Sequence, residues 1–186
     1  MGKITYVTGG ARSGKSTFAE KYVVESKLPK VYVATAIPFD NEMKLRVEKH
    51  REQRGSQWLT IEGYRGLGEK LKGNITEEKI VLLDCLTNMV SNLMIMEREY
   101  DWDNISKEDL HSLEEEVRGE VEEILEYIDR SDIELVVVSN ELGMGLVPPY
   151  ALGRHFRDIA GRMNQMIAER AHEAYLIVSG LPVRLK

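Results

Sequence analysis

The octapeptide "GGARSGKS", residues 9–16, lies between an apolar, β-branched run, "KITYVTG" (3–9), and a helical pattern that begins near residue 14. Gly9, Gly14, Lys15 and Ser16 match G-x-x-x-x-G-K-[ST] at full spacing, in the strand–loop–helix setting that the pattern requires. Glycines let the backbone curl until successive N–H groups converge on one point. The N-terminus of the following helix adds partial positive charge at that same point. Gly9, Gly10, Ala11, Arg12, Ser13, Gly14, Lys15 and Ser16 therefore read as a cradle for phosphate oxygens. Lys15 is expected to reach the β and γ phosphates of a nucleoside triphosphate, and the Ser16 hydroxyl to ligate Mg²⁺.

A loop of this kind needs a buried strand before it and a helix after it, and the rest of the chain repeats that alternation. "KITYVTG" (3–9), "KVYVATA" (30–36), "KIVLLDCL" (79–86), "ELVVVSN" (134–140) and "AYLIVSG" (174–180) are near-continuous apolar runs, as strands covered on both faces are. Helical patterns fall between them, at about 14–26, 40–54, 86–98, 107–130 and 153–172. Such alternation implies right-handed crossovers and an α/β fold with a mostly parallel central sheet flanked by helices. The 107–130 segment is the plainest helix. Ser106 and Asp109 form a capping-box-like start, and Leu110, Leu113, Val117, Val121, Leu125 and Ile128 recur as one apolar stripe. No internal repeat, low-complexity tract or linker divides the 186 residues, so one domain spanning 1–186 is expected.

Composition excludes several classes of function. A formal net charge of −6 with no basic block gives a nucleic-acid backbone little to bind, so no nucleic-acid partner is expected. The single cysteine, Cys85, forms no intrachain disulfide and fits a reducing compartment. No stretch approaches the roughly 18 apolar residues of a membrane span, and the apolar run at the N-terminus is too short for a secretory signal. Asn74-Ile75-Thr76 and Asn104-Ile105-Ser106 match the glycosylation sequon, which carries no meaning without such a signal. A cytoplasmic protein is the expectation.

Asp84 ends the run "IVLLD", where a carboxylate would stand at the C-terminal edge of the sheet. Ligands of open α/β sheets gather at that edge, so Asp84 suits the Mg²⁺ or nucleotide side of the site; a helix N-cap is the other reading. The guanine-reading N-K-x-D sequence of GTPase switches is absent. A small-molecule kinase or a nucleotidyl transferase remains, the latter able to act through a covalent intermediate on a side chain. His50 is relevant to that choice. On a helix it shares a face with Arg46 and Arg54, four residues away on either side. Nearby positive charge keeps an imidazole neutral and nucleophilic, and both arginines can pair with phosphate oxygens. A solvated helix carries histidines between arginines too, and the stretch by itself does not decide. His111, His155 and His172 have no comparable setting and read as structural or surface residues.

The blocks "VTGGARSGKS", "VYVATA", "HREQR" followed by "WLTIE", "VLLDCLT", "VSNELGMGLVP", "GRHFRDIAGRMNQMIA" and "VSGLP" occur in this order from Thr5 to Pro182. Together they resemble the bifunctional adenosylcobinamide kinase/adenosylcobinamide-phosphate guanylyltransferase family of cobalamin biosynthesis. The resemblance implies a RecA-like P-loop NTPase fold and assembly as a homotrimer. It implies phosphorylation of the aminopropanol hydroxyl of adenosylcobinamide, with ATP or GTP, followed by transfer of GMP from GTP to that phosphate. The second step would pass through a GMP-histidine intermediate at His50, releasing pyrophosphate. Nucleotide contacts carried over by the resemblance are Gly9 through Ser16, Ala34, Thr35, Ala36, Arg51, Glu52, Gln53, Arg54, Glu62 and Asp84. Some members have a second histidine just before the nucleophile, where this chain has Lys49. The alternative is a single-activity P-loop kinase of another small alcohol, with His50 idle.

The block "VSNELGMGLVPP" also stands out by itself. A buried strand ends at Ser139-Asn140-Glu141, Gly143 and Gly145 loosen the loop, and Pro148-Pro149 stiffen its exit. It reads either as a place for an acceptor substrate or as a plain glycine turn. Arg154 and Arg157, three apart on the following helix, are candidates to meet the acceptor's phosphate or a neighbouring subunit; Arg162 follows them, and solvated charge is the plainer reading.

Overall fold

The computed structural model describes residues 2–37, 58–75, 77 and 79–186. Among them are seven strands in one sheet: β1 (Lys3–Gly9), β2 (Lys30–Ala34), β3 (Trp58–Glu62), β4 (Ile80–Asp84), β5 (Glu134–Asn140), β6 (Glu173–Val178) and β7 (Leu181–Arg184). Their order is β3-β2-β4-β5-β1-β6-β7. Every neighbouring pair is parallel except β6 and β7, an antiparallel hairpin. The mostly parallel α/β sheet expected from the alternation is present. The five strands legible as apolar runs are β1, β2, β4, β5 and β6; β1 and β5 have the expected ends, and the ends of the others differ by up to two residues.

The described helices are α1 (Lys15–Glu25), α2 (Leu67–Asn74), α3 (Leu86–Ile95), α4 (Lys107–Asp129) and α5 (Ala151–Arg170). Successive strand residues alternate between the two faces of the sheet, which divides the core in two. Val7, Tyr32, Ile80, Leu82, Val136 and Val138 pack on one face with Ala19 and Val23 of α1. Ile4, Tyr6, Val31, Val33, Val81, Leu83, Leu135 and Val137 face the other way, toward α2, α3, α4 and α5. The expected helix at 40–54 lies outside the described residues.

The start of α4 follows the capping reading: the Ser106 hydroxyl oxygen accepts from the Asp109 N–H at 3.0 Å. Leu113, Val117, Val121, Leu125 and Ile128 are buried as expected, joined by Ile124, while Leu110 is half-buried. Leu125 is fully buried. Leu125→Ala should therefore lower unfolding stability by about 2–5 kcal/mol in urea titrations, from lost burial plus the cavity left behind.

Three elements have no counterpart in the sequence reading: β3, α2 and β7. β3 and β7 are the two edges of the sheet. All four residues of β7 are exposed and one is Pro182, which only an edge strand tolerates. In α2, Gly68 packs against α4 so closely that an added Cβ would lie 2.5 Å from Cγ of Glu123. That glycine lowers helix propensity and at the same time permits the helix contact.

Candidate active site

Parallel strands end together, so Gly9, Ala34, Glu62, Asp84 and Asn140 come to one edge. Ala34 pairs with both Glu62 and Asp84, and Gly9 pairs with Asn140. The loop 9–16 sits at this edge between β1 and α1. A Cβ on Gly9 would lie 2.6 Å from both the Ile177 carbonyl oxygen and Ser13 Oγ, so only glycine fits there. Gly14 has φ 92° and stands at the N-cap of α1. No side chain caps that helix and no acidic residue occupies its first turn, which leaves its N–H groups available to an anion. The buried Ser13 hydroxyl lacks a hydrogen-bond partner among the described residues.

Lys15 is half-buried, and its ammonium donates to the Gly10 carbonyl at 3.1 Å, an acceptor shared with the Ser13 N–H at 3.2 Å. Burial lowers the Lys15 pKa, and the neighbouring Asp84 carboxylate works against that lowering. The side chain is thus folded over its own loop, close to the carboxylate of the sheet edge. Ser16 follows it in the first turn of α1, half-buried.

Asp84 is not a helix cap: Cys85 occupies the N-cap of α3. The Tyr32 hydroxyl donates to Asp84 Oδ2 at 3.3 Å. Beside it, Thr35 is locked in place. Its hydroxyl donates to the Cys85 carbonyl at 2.7 Å and accepts from the Cys85 N–H at 2.8 Å, while Asn92 Nδ2 donates to the Thr35 carbonyl at 2.8 Å. Ala34, Thr35 and Ala36 thereby leave β2 along a fixed path at the same edge. Glu62 ends β3 with an exposed side chain, and its carbonyl accepts from Lys70 Nζ at 3.1 Å. His50, with Arg46, Arg51, Glu52, Gln53 and Arg54, lies outside the described residues.

The other histidines follow the plain reading. His172 Nδ1 accepts from the Ile4 N–H at 3.1 Å, His155 packs near Trp102 with ring centroids 6.4 Å apart, and His111 is exposed. Arg154 and Arg157 are turned back onto the preceding loop. Arg154 Nη1 donates to the Pro148 and Pro149 carbonyls at 3.2 and 2.7 Å, and Arg157 Nη2 to the Gly143 carbonyl at 3.2 Å. Arg162 forms a two-pronged ion pair with Glu114. A helix-face reading could not foresee acceptors supplied by loop carbonyls.

The turn in "VSGLP", residues 178–182, is a further neighbour of the loop. Ser179 and Gly180, between β6 and β7, have φ 51° and 82°. The Gly180 N–H donates to the Ser13 carbonyl at 2.7 Å, and a Cβ on Gly14 would lie 3.1 Å from Gly180 Cα. This turn braces the phosphate loop from the side. Alanine in a left-handed conformation costs about 1–2 kcal/mol, relieved by turning the N–H away from Ser13. Gly180→Ala should weaken GTP binding about tenfold in calorimetric titration. Asparagine tolerates positive φ, so Gly180→Asn should lose less.

The sheet, the loop and the carboxylate at its edge define a P-loop nucleotide-binding protein. A prototypical ATPase from the type III secretion system of pathogenic bacteria matches this fold with TM-score 0.56 at 11% identity, over 95% of this chain and 52% of that one. The description "Cobinamide kinase / cobinamide phosphate guanyltransferase" belongs to a family whose sequence pattern matches residues 5–185. The "Bifunctional adenosylcobalamin biosynthesis protein CobU" of Escherichia coli strain K12 is 42% identical over 97% of this chain and 98% of its own. Its namesake in Salmonella typhimurium strain LT2 is 40% identical, over 97% and 98%. The corresponding CobP of Pseudomonas aeruginosa PAO1 is 37% identical, over 97% and 95%. The chain belongs to the cobinamide kinase / cobinamide phosphate guanyltransferase family and is a transferase enzyme of that family.

Proposed function

We propose that this enzyme phosphorylates the aminopropanol hydroxyl of adenosylcobinamide with ATP or GTP. It then transfers GMP from GTP to adenosylcobinamide phosphate, giving adenosylcobinamide-GDP and pyrophosphate. The observation that carries this is the phosphate loop with half-buried Lys15, set against Asp84 at the sheet edge, in a chain of this family.

In the kinase step Lys15 leaves the Gly10 carbonyl for the β and γ phosphates, and the loop N–H groups take the equatorial oxygens. The acceptor hydroxyl attacks the γ-phosphorus, and the nucleoside diphosphate leaves. In the second step neutral His50 attacks the α-phosphorus of GTP, forming a phosphorus–nitrogen bond as pyrophosphate departs. A phosphate oxygen of adenosylcobinamide phosphate then attacks that phosphorus and returns the electron pair to the imidazole. Arg51, Glu52, Gln53, Arg54, Glu62 and Ala34 to Ala36 contribute nucleotide contacts in this scheme.

Ser16 and Asp84 offer a hydroxyl and a carboxylate, the all-oxygen donors suited to Mg²⁺, whose remaining ligands come from phosphate and water. No cluster of three or more His, Cys, Asp or Glu able to hold a metal stands among the described residues. When bound, Mg²⁺ neutralises phosphate charge.

Residues 1–186 act as one domain in this scheme, supported by a family match over 5–185. Homotrimeric assembly is supported by the family resemblance, and a cytoplasmic location by the single buried thiol of Cys85. No helix among the described residues is long and apolar enough to cross a membrane. Incubation with adenosylcobinamide, ATP, GTP and Mg²⁺ should yield the phosphate and then the GDP derivative in mass spectra. A purified protein that binds GTP yet makes neither product would overturn the proposal.

A further inference from the structure

The loop between β5 and α5 combines two properties that rarely coincide, a fixed backbone and exposed apolar side chains. Met144, Leu146, Val147 and Tyr150 are 81%, 97%, 69% and 77% exposed, four large apolar side chains within seven positions. Concentrated exposure of this kind marks a binding surface more often than chance. The backbone that carries them is tied down. The Glu141 carboxylate accepts the N–H groups of Gly143 and Met144, the latter at 3.1 Å. Arg157 bonds the Gly143 carbonyl and Arg154 those of Pro148 and Pro149, while Leu142 points inward onto the core. Gly153 admits the loop against α5, since a Cβ there would lie 2.8 Å from Cβ of Pro148.

The root of the loop is joined to the nucleotide site. The Glu141 N–H donates to the Gly9 carbonyl, the first residue of the phosphate loop, at 3.0 Å. The end of β5 just before it is held by a chain of side-chain bonds. Ser139 Oγ donates to Asn164 Oδ1 at 2.6 Å, Asn164 Nδ2 to the Asn140 carbonyl at 3.1 Å, and Asn140 Nδ2 to Thr87 Oγ1 at 2.9 Å. A molecule resting on the loop would lie at the sheet edge that carries the phosphate loop.

We propose that Met144, Leu146, Val147 and Tyr150 form the docking surface for the corrinoid ring of the acceptor. This rests on the function proposed above and names the part of the site that takes the macrocycle. A corrinoid is a broad ring with extensive hydrocarbon surface and one short arm that carries the reacting hydroxyl or phosphate. It needs apolar contact next to the phosphate loop. Arg154 and Arg157, bonded to the loop's own carbonyls, build the platform, and the acceptor's phosphate is left to the groups of the nucleotide site. Preorganisation of the backbone means that docking orders few new bonds, which favours tight binding of a rigid ring.

The test uses the full chain with Leu146→Asp, Met144→Asp and the conservative Leu146→Met. The aspartates should each raise KM for adenosylcobinamide about tenfold or more, from lost apolar burial. Saturating kcat and the calorimetric Kd for GTP should stay near wild type, and Leu146→Met should keep the wild-type KM. Unchanged KM in both aspartate variants overturns the assignment. So does a rise in KM that accompanies a changed sedimentation coefficient, because the surface would then belong to a second copy of the chain. A wild type that turns over no cobinamide overturns the proposed function itself, and this inference with it.

Discussion

Lys15→Ala should lower kcat/KM for cobinamide phosphorylation by about a thousandfold or more, with the fold intact. The ammonium is the cationic side chain of the phosphate loop that folds over it, held 3.1 Å from the Gly10 carbonyl. Half-burial raises its effect, because a charge near low-dielectric protein acts on phosphate oxygens with less screening than one in water. Burial already depresses its pKa, and the nearby Asp84 carboxylate favours the ammonium form. Loss of a group that stabilises developing charge costs about 10²–10³ in kcat, and Lys15 serves ground-state binding as well. Lys15→Arg should not restore activity. Its planar fork differs from a compact ammonium, and the loop is tight enough that a single Cβ at Gly9 would sit 2.6 Å from its neighbours. A coupled assay for nucleoside diphosphate, with circular dichroism as the folding control, measures both. A loss under tenfold would remove Lys15 from the mechanism.

His50→Ala should separate the two reactions. Guanylyl transfer should fall by about 10⁴-fold or more, since without the nucleophile the covalent route closes. Cobinamide phosphorylation should persist, because its hydroxyl attacks the γ-phosphorus directly and the imidazole takes no part. Product analysis should then show cobinamide phosphate accumulating without its GDP derivative. Equal loss of both products would mean that His50 serves nucleotide binding in general and not the second step.

How much of this was legible beforehand depends on what each residue contacts. The phosphate loop could be read because its glycines serve backbone geometry that few other sequences satisfy. Strands β1, β2, β4, β5 and β6 were visible because burial on both faces leaves continuous apolar runs. β3 and β7 were missed as edge strands, one carrying Pro182, and α2 was hidden by the glycine that lets it pack on α4. The sequence around Asp84 suits a ligand or a cap, and only the structure shows Cys85 in the cap position. The brace from Gly180 to Ser13 spans 167 residues of chain, and no local pattern signals a contact of that reach. Arg154 and Arg157 bond backbone carbonyls, partners that any sequence supplies and that no helix-face pattern announces.

In the proposed scheme the second transfer passes through a phosphorus–nitrogen bond to His50. GTP labelled at the α-phosphate, incubated with Mg²⁺ and no corrinoid, tests it most directly. The wild-type protein should retain label after denaturation, in a linkage that acid breaks and alkali spares, as a phosphoramidate behaves, and His50→Ala should retain none. Absence of label from wild-type protein that still binds GTP would contradict the account and leave a kinase with an idle histidine.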